Sequence, residues 1–349
     1  MKPLVSTAVA LSAVFLITYL LAEAGNPPGI PLILLLYLLA FGLTQWLWSR
    51  IFEQDCSEAA SAAQWPVSGP VARLGPRAVE WVFGATAFLS FLNPFQGTQQ
   101  IRHMVGQSKA ARRLRTQDNM WPQSHMQTEK HATKSDSDCV PHYATDYRLP
   151  FDGEWIVANG GPTESTSHSW DVLNQRYAYD FVKVDENLSR HRNHGTRLTD
   201  YYCYGEPILA AADGEVIEVR DGIRPSPAVG FALADIFCRD FRGNYIVIRH
   251  AEAEYGFYAH LQRGSLSVKH GDSVTAGEEL GLCGHSGHST EPHLHFHVQD
   301  RPDFFTALSV PVRFGHCRVD SIKVSEAVLS EGQRVANVDV VSPVAVSHR

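Results

Sequence analysis

Three histidines alternate with apolar residues in Pro292-His-Leu-His-Phe-His-Val298. On a strand, successive side chains point to opposite faces. His293, His295 and His297 therefore share one face, and Leu294, Phe296 and Val298 turn the other way into a core. Imidazoles at this spacing on a stiff element converge on one region, as a metal ion with fixed ligand geometry requires. Solubility alone gives no reason for such a row. Eight of the 17 histidines fall between His250 and His297. His260, in Phe257-Tyr-Ala-His-Leu261, lies on a separate run, and a histidine alone in such a place is more often a satisfied structural one. The glycine-rich loop Gly281–Pro292 suits tight turns beside a site. His285 and His288 in that loop are expected on the rim.

The elements that must carry these side chains read as β. From Pro150 onward, short alternating or β-branched runs recur: Glu154–Val157, Gly214–Val219, Asn244–Arg249, Phe257–His260 and His293–Val298. Glycine and proline turns separate them, and no long period of 3.6 appears. Short strands at such spacing predict a mainly β domain, an antiparallel sheet or sandwich. Gly284-His-Ser-Gly-His288 is not the Gly-x-Ser-x-Gly elbow of a serine hydrolase. The two glycine-bounded turns alone would also suit a carrier module, but such a module does not explain three alternating histidines.

The stretch Gly284-His-Ser-Gly-His-Ser-Thr-Glu-Pro-His-Leu-His-Phe-His297 resembles the signature of the lysostaphin/LytM-type zinc endopeptidases, the M23 peptidase family. Tyr258-Ala-His-Leu261 resembles its second histidine motif. Gly205–Gly214 and Val268–Gly281 resemble its two glycine-bounded turns. The resemblance covers about 151–319 and implies a LytM-type (duplicated hybrid motif) β fold. It implies that His295 ligates Zn2+, one ion per domain, and that His260 and His293 are the catalytic pair beside a zinc-activated water. It also implies a second ligand, Asp180 in Tyr177-Ala-Tyr-Asp-Phe181. The family's histidine four residues before that aspartate is missing, and Arg176 stands there. His168 resembles the ligand of a variant branch in which the histidine lies further upstream; His191 and His194 are weaker alternatives. His297, where the family usually has glutamate, is expected to orient a ligand, and Arg176 and Ser286 to lie around the metal or substrate. The implied reaction is hydrolysis of peptide bonds in peptidoglycan cross-links or stems. The alternative is a non-catalytic LytM-type module that regulates other wall hydrolases.

The rest of the chain bears on location. Leu4–Ala22 and Ile30–Trp48 are uncharged apolar runs of nineteen residues each. At about 1.5 Å per residue each would span the ~30 Å hydrocarbon core of a bilayer. Residues 1–49 therefore read as a transmembrane hairpin. Lys2 and Ala22-Glu-Ala24 would also suit a cleaved signal. Residues 50–145 read as a juxtamembrane segment, with a possible third membrane helix over 79–95 and a polar linker from Gly97 that includes His125 and His131. Arg102, Lys109, Arg112, Arg113 and Arg115 favour the cytoplasmic side by the positive-inside rule. That opposes the extracytoplasmic location that wall chemistry needs. The peptidase domain is expected over 146–325, with a tail over 326–349. A net charge of −7 offers no basic face for nucleic acid. None of the six cysteines forms a Cys-x-x-Cys pair, and Cys203 with Cys238 is one possible disulfide.

Overall fold

The computed structural model describes residues 76–117 and 145–338. The transmembrane hairpin expected over 1–49 and both linker histidines lie outside them. Helix α1 spans Pro76–Leu89 and helix α2 spans Pro94–Gln117, with a 3-10 turn at Ser90–Leu92 between them. Each helix begins on proline, whose fixed φ and missing N–H suit a first helical position. The Asn93 side chain accepts from the Phe95 N–H at 3.0 Å and so caps α2. The possible third span over 79–95 is thus interrupted by the turn and by Pro94. Among the described residues, no helix is long and apolar enough to cross a membrane.

The polar linker expected from Gly97 is helical as far as Gln117, because α2 lies on the β domain through polar contacts rather than an apolar stripe. Gln96 donates to the carbonyls of Asp235 (2.8 Å) and Cys238 (2.9 Å). Gln107 and His103 both reach the Asn174 side-chain oxygen Oδ1, at 2.9 and 3.1 Å. Gly106 lets the helix approach so closely that a Cβ there would lie 1.9 Å from the Phe305 carbonyl oxygen.

From residue 145 the chain is mainly β. Its strands are β1 (Trp155–Asn159), β2 (Tyr179–Val182), β3 (Pro207–Leu209), β4 (Gly214–Arg220), β5 (Asn244–Ala251) and β6 (Glu254–Leu261). There follow β7 (Ser273–Val274), β8 (Glu279–Leu282), β9 (Leu294–Gln299), β10 (Ser309–Val310), β11 (Phe314–Val319), β12 (Ile322–Ala327) and β13 (Arg334–Asn337). The large antiparallel sheet runs β12-β11-β13-β1-β2-β9-β6-β5-β4-β7, with β10 on β9, and β3 pairs with β8 as a separate ribbon. Ile208 and Leu280 of that ribbon join Ile246, Ile248, Leu294, Phe296 and Val298 in one core, so the ribbon is a small second layer on the sheet. The opposite face buries Tyr245, Val247, Phe257, Ala259, Phe304 and Phe305.

The supposed tail beyond 325 is part of this sheet as far as Asn337. Strand β13 lies between β11 and β1, with Val335 and Ala336 buried. The thiols of Cys203, Cys238, Cys283 and Cys317 are free. Cys203 and Cys238 do not pair, since they point to different carbonyls, those of Pro292 and Asp240.

Candidate metal centre and active site

Strand register assembles the site. Asp180 on β2 and Ala259 on β6 both stand opposite His295 on β9. Directly opposed Cβ atoms lie about 4.5–5.5 Å apart, so three neighbouring strands bring Asp180, His295 and the end of β6 together. A bulge then re-aims His260. Between the pairs Asn244↔Leu261 and Ile246↔Tyr258, β6 has two residues where β5 has one. His260 takes φ +62°, a left-handed conformation strained for a non-glycine. Its Nδ1–H donates to the Ser286 carbonyl at 2.8 Å, which fixes the ring.

Asp180 is the hub. Its Oδ1 lies 3.0 Å from His295 Nδ1 and 3.6 Å from His293 Nε2, and its Oδ2 lies 3.5 Å from His168 Nε2. Asn159, its pairing partner on β1, donates to Oδ2 at 3.1 Å. Ligand atoms of His168, Asp180 and His295 all fall within 4.8 Å of one another. Burial alone would raise the Asp180 carboxyl, but the imidazoles of His168, His293 and His295 together hold it well below the carboxylate range. Two nitrogens and one ionised oxygen, with a further position left over, suit a catalytic zinc.

His293 and His260 flank this group, their ring centres 4.9 Å apart. The Nδ1–H of His293 donates to the Glu291 carbonyl at 2.7 Å, and its Nε2 lies on the Asp180 side. Burial, followed by the nearby His293 and His295, holds His260 well below the ordinary imidazole value. It is neutral and has a bare Nε2.

The expected strand pattern holds. Leu294, Phe296 and Val298 enter the main core, and His293, His295 and His297 lie on the other face. His168 joins the ligand group; His191 does not, and its ring is tilted against Tyr201 with its Nδ1 on the Arg192 carbonyl. Exposed His194 lies outside the group as well. Arg176 turns to Trp170, its Nε donating to the Trp170 carbonyl and its guanidinium 4.7 Å over the indole. It shapes the loop that carries His168. The Ser286 hydroxyl is buried between the Leu261 carbonyl and the Asn244 N–H, so it supports His260 from behind.

Two expectations about the loop are corrected. His285 is buried rather than on the rim, its Nδ1 on the Ser289 hydroxyl at 2.8 Å and its pKa pushed down to about 3 by burial. His288 turns to α2 and donates to Gln96 Oε1 at 2.6 Å. Asn159 gave no signal because pairing of distant strands brings it there, and Ser289 and Glu291 because loop closure does, whereas Gln299 continues the alternation of His293, His295 and His297 along β9.

Residues 193–305 match the model of Peptidase family M23. The chain carries a peptidase family M23 domain. The match begins beyond His168 and Asp180, so their assignment rests on the geometry. "Peptidoglycan DD-endopeptidase ShyC" of Vibrio cholerae is 35% identical over 129 residues, 35% of this chain and 25% of that protein. "Peptidoglycan DD-endopeptidase ShyA" of the same organism is 30% identical over 172 residues, 46% of this chain and 34% of that one. The chain thus spans a quarter to a third of the length of these relatives. A solved "zinc containing peptidase from vibrio cholerae" superposes with a TM-score of 0.26 at 24% identity, over 47% of this chain and 39% of that one.

Proposed function

We propose that this domain is a zinc metalloendopeptidase acting on peptide bonds in peptidoglycan cross-links or stem peptides. The observation that carries the reading is the convergence of His168, Asp180 and His295 beside two further histidines, His260 and His293. The names of the relatives support the substrate class. The same reading has the chain tethered to a bacterial membrane through residues 4–48, with the domain on the side where peptidoglycan lies.

His168 Nε2, one Asp180 oxygen and His295 Nδ1 would hold the metal. Bound there, zinc supplies Lewis-acid polarisation of the scissile carbonyl and brings the pKa of a water towards about 7. His293 and His260 begin as bases, since each gives its Nδ1–H to a backbone carbonyl and keeps Nε2 bare. The ring that takes the water's proton becomes a donor. It can then stabilise the oxyanion or return the proton to the leaving amine. The carbonyls of Glu291 and Ser286 keep both rings in one orientation through this cycle.

Metal analysis tests the assignment. The wild type should bind about one zinc per chain, as fits a single three-ligand site. His293→Ala should retain it and His295→Ala should lose it. Full zinc in His295→Ala would sink the ligand set.

A further inference from the structure

The strand carrying His295 continues through His297 to Gln299, and the hydrogen bonds along it have a direction. The Gln299 amide donates to the carbonyls of Arg301 (2.8 Å) and Pro302 (3.1 Å). Two carbonyl acceptors fix which end of the amide is nitrogen. Gln299 Oε1 therefore faces His297 Nε2, at 3.1 Å, and an amide oxygen only accepts. His297 carries its proton on Nε2, which leaves Nδ1 as a lone pair. That lone pair lies 3.1 Å from His295 Nε2. A neutral His295 then donates from Nε2 and presents its Nδ1 lone pair 3.0 Å from Asp180 Oδ1. Two acceptors so close need a proton or a metal ion shared between them, and a metal ion takes that place when bound.

Burial shields this chain of contacts from bulk solvent. His297 and Gln299 are both fully buried, and His297 stacks on Phe257 with ring centres 5.0 Å apart. We propose that Gln299 and His297 are positioning residues that form a one-way hydrogen-bond relay, setting the tautomer of His295 and aiming its Nδ1 at the cation. The proposal rests on the zinc reading above. The relay uses a neutral imidazole, so it directs the ligand without adding a second buried anion beside Asp180. Outer partners of this kind are worth about 10–100-fold in metal affinity.

The test uses the full-length chain and chelator competition for zinc. His297→Phe keeps an aromatic ring against Phe257 and removes the acceptor; it should weaken zinc binding by about 10–100-fold. His297→Asn places an amide oxygen near the position of Nδ1 and should recover most of that loss. His297→Gln places its oxygen near Nε2 and should recover little. The Asn-over-Gln order keeps the test valid even if His297→Phe folds poorly, because the two amides are alike in polarity. Nitrogen-15 NMR of the ring provides a readout independent of zinc: His297 should be the Nε2–H tautomer in metal-free and loaded protein alike. An Nδ1–H tautomer overturns the relay, and so does equal affinity in the Asn and Gln variants. His295→Ala sets the floor. If it binds zinc like wild type, the ligand set fails, and the tautomer of His297 still decides the relay.

Discussion

A methyl group at position 106 should loosen helix α2 from the β domain. The Cβ of Gly106→Ala would lie 1.9 Å from the Phe305 carbonyl oxygen and 2.6 Å from its carbon. Backbone cannot be approached so closely, and restoring even 3.0 Å needs a shift of 3.0 − 1.9 = 1.1 Å. Overpacking of this kind costs about 1–3 kcal/mol. The shift also strains the contacts of Gln107 and His103 with fully buried Asn174. An unpaired buried acceptor there costs a further ~1–3 kcal/mol. The sum, about 2–6 kcal/mol, is a large part of a typical 5–15 kcal/mol stability. At roughly 2–4 °C per kcal/mol for a domain this size, the melting temperature should fall by on the order of 10 °C. Gly84→Ala is the control, because nothing lies within 4 Å of the added carbon. It should gain up to about 1 kcal/mol from helix propensity alone. The same substitution in two helices is thus predicted to have opposite signs in a thermal melt. Equal melting of Gly106→Ala and wild type would refute the docking of α2.

Acid should weaken the fold partly through His288. Burial holds its pKa down to about 4, below the unfolded value. The unfolded chain therefore binds the extra proton first as pH falls. The stability from this residue is full above about pH 6.5 and is lost between there and about pH 4, by at most ~3 kcal/mol. His288→Gln should flatten that part of a pH–denaturation curve; an unchanged slope would count against the burial argument. His168→Ala should lower zinc affinity by more than the ~100-fold expected for a mere outer partner, whereas His191→Ala should leave chelator competition unchanged; the reverse order would move the first ligand. Ser286→Ala removes the acceptor for Asn244 N–H and the donor to Leu261, and should cost about 1–3 kcal/mol. It should also lower kcat more than it raises KM, since the ring it supports is His260. Alkylation of the unfolded, unreduced protein should label Cys203, Cys238, Cys283 and Cys317; a protected Cys203–Cys238 pair would contradict the free thiols.

The β-strand locations were legible because alternation is a local property. The runs named from the sequence fall on β1, β4, β5, β6 and β9, with edges moved by a residue or a few. The face shared by His293, His295 and His297 was legible for the same reason. Asp180 and His168 were not readable from pattern. One meets His295 through pairing of strands more than a hundred residues apart in sequence, the other through a loop held by Trp170 and Arg176. Helix α2 was misread as linker because the side it lays on the domain carries Gln96, His103 and Gln107, so it lacks the apolar period that marks most packed helices. The last strand was misread as tail because β13 finds its place only between β11 and β1. His285 looked like a rim residue because a glycine-rich loop gives no sign that it folds inward.

The most direct measurement of the central claim is mass analysis of fragments released from purified peptidoglycan by the full-length chain with zinc, with His295→Ala alongside. The account predicts new peptide termini from the wild type alone, at cross-links or stems. Equal release from both proteins, or none from a wild type shown to hold zinc, would contradict it.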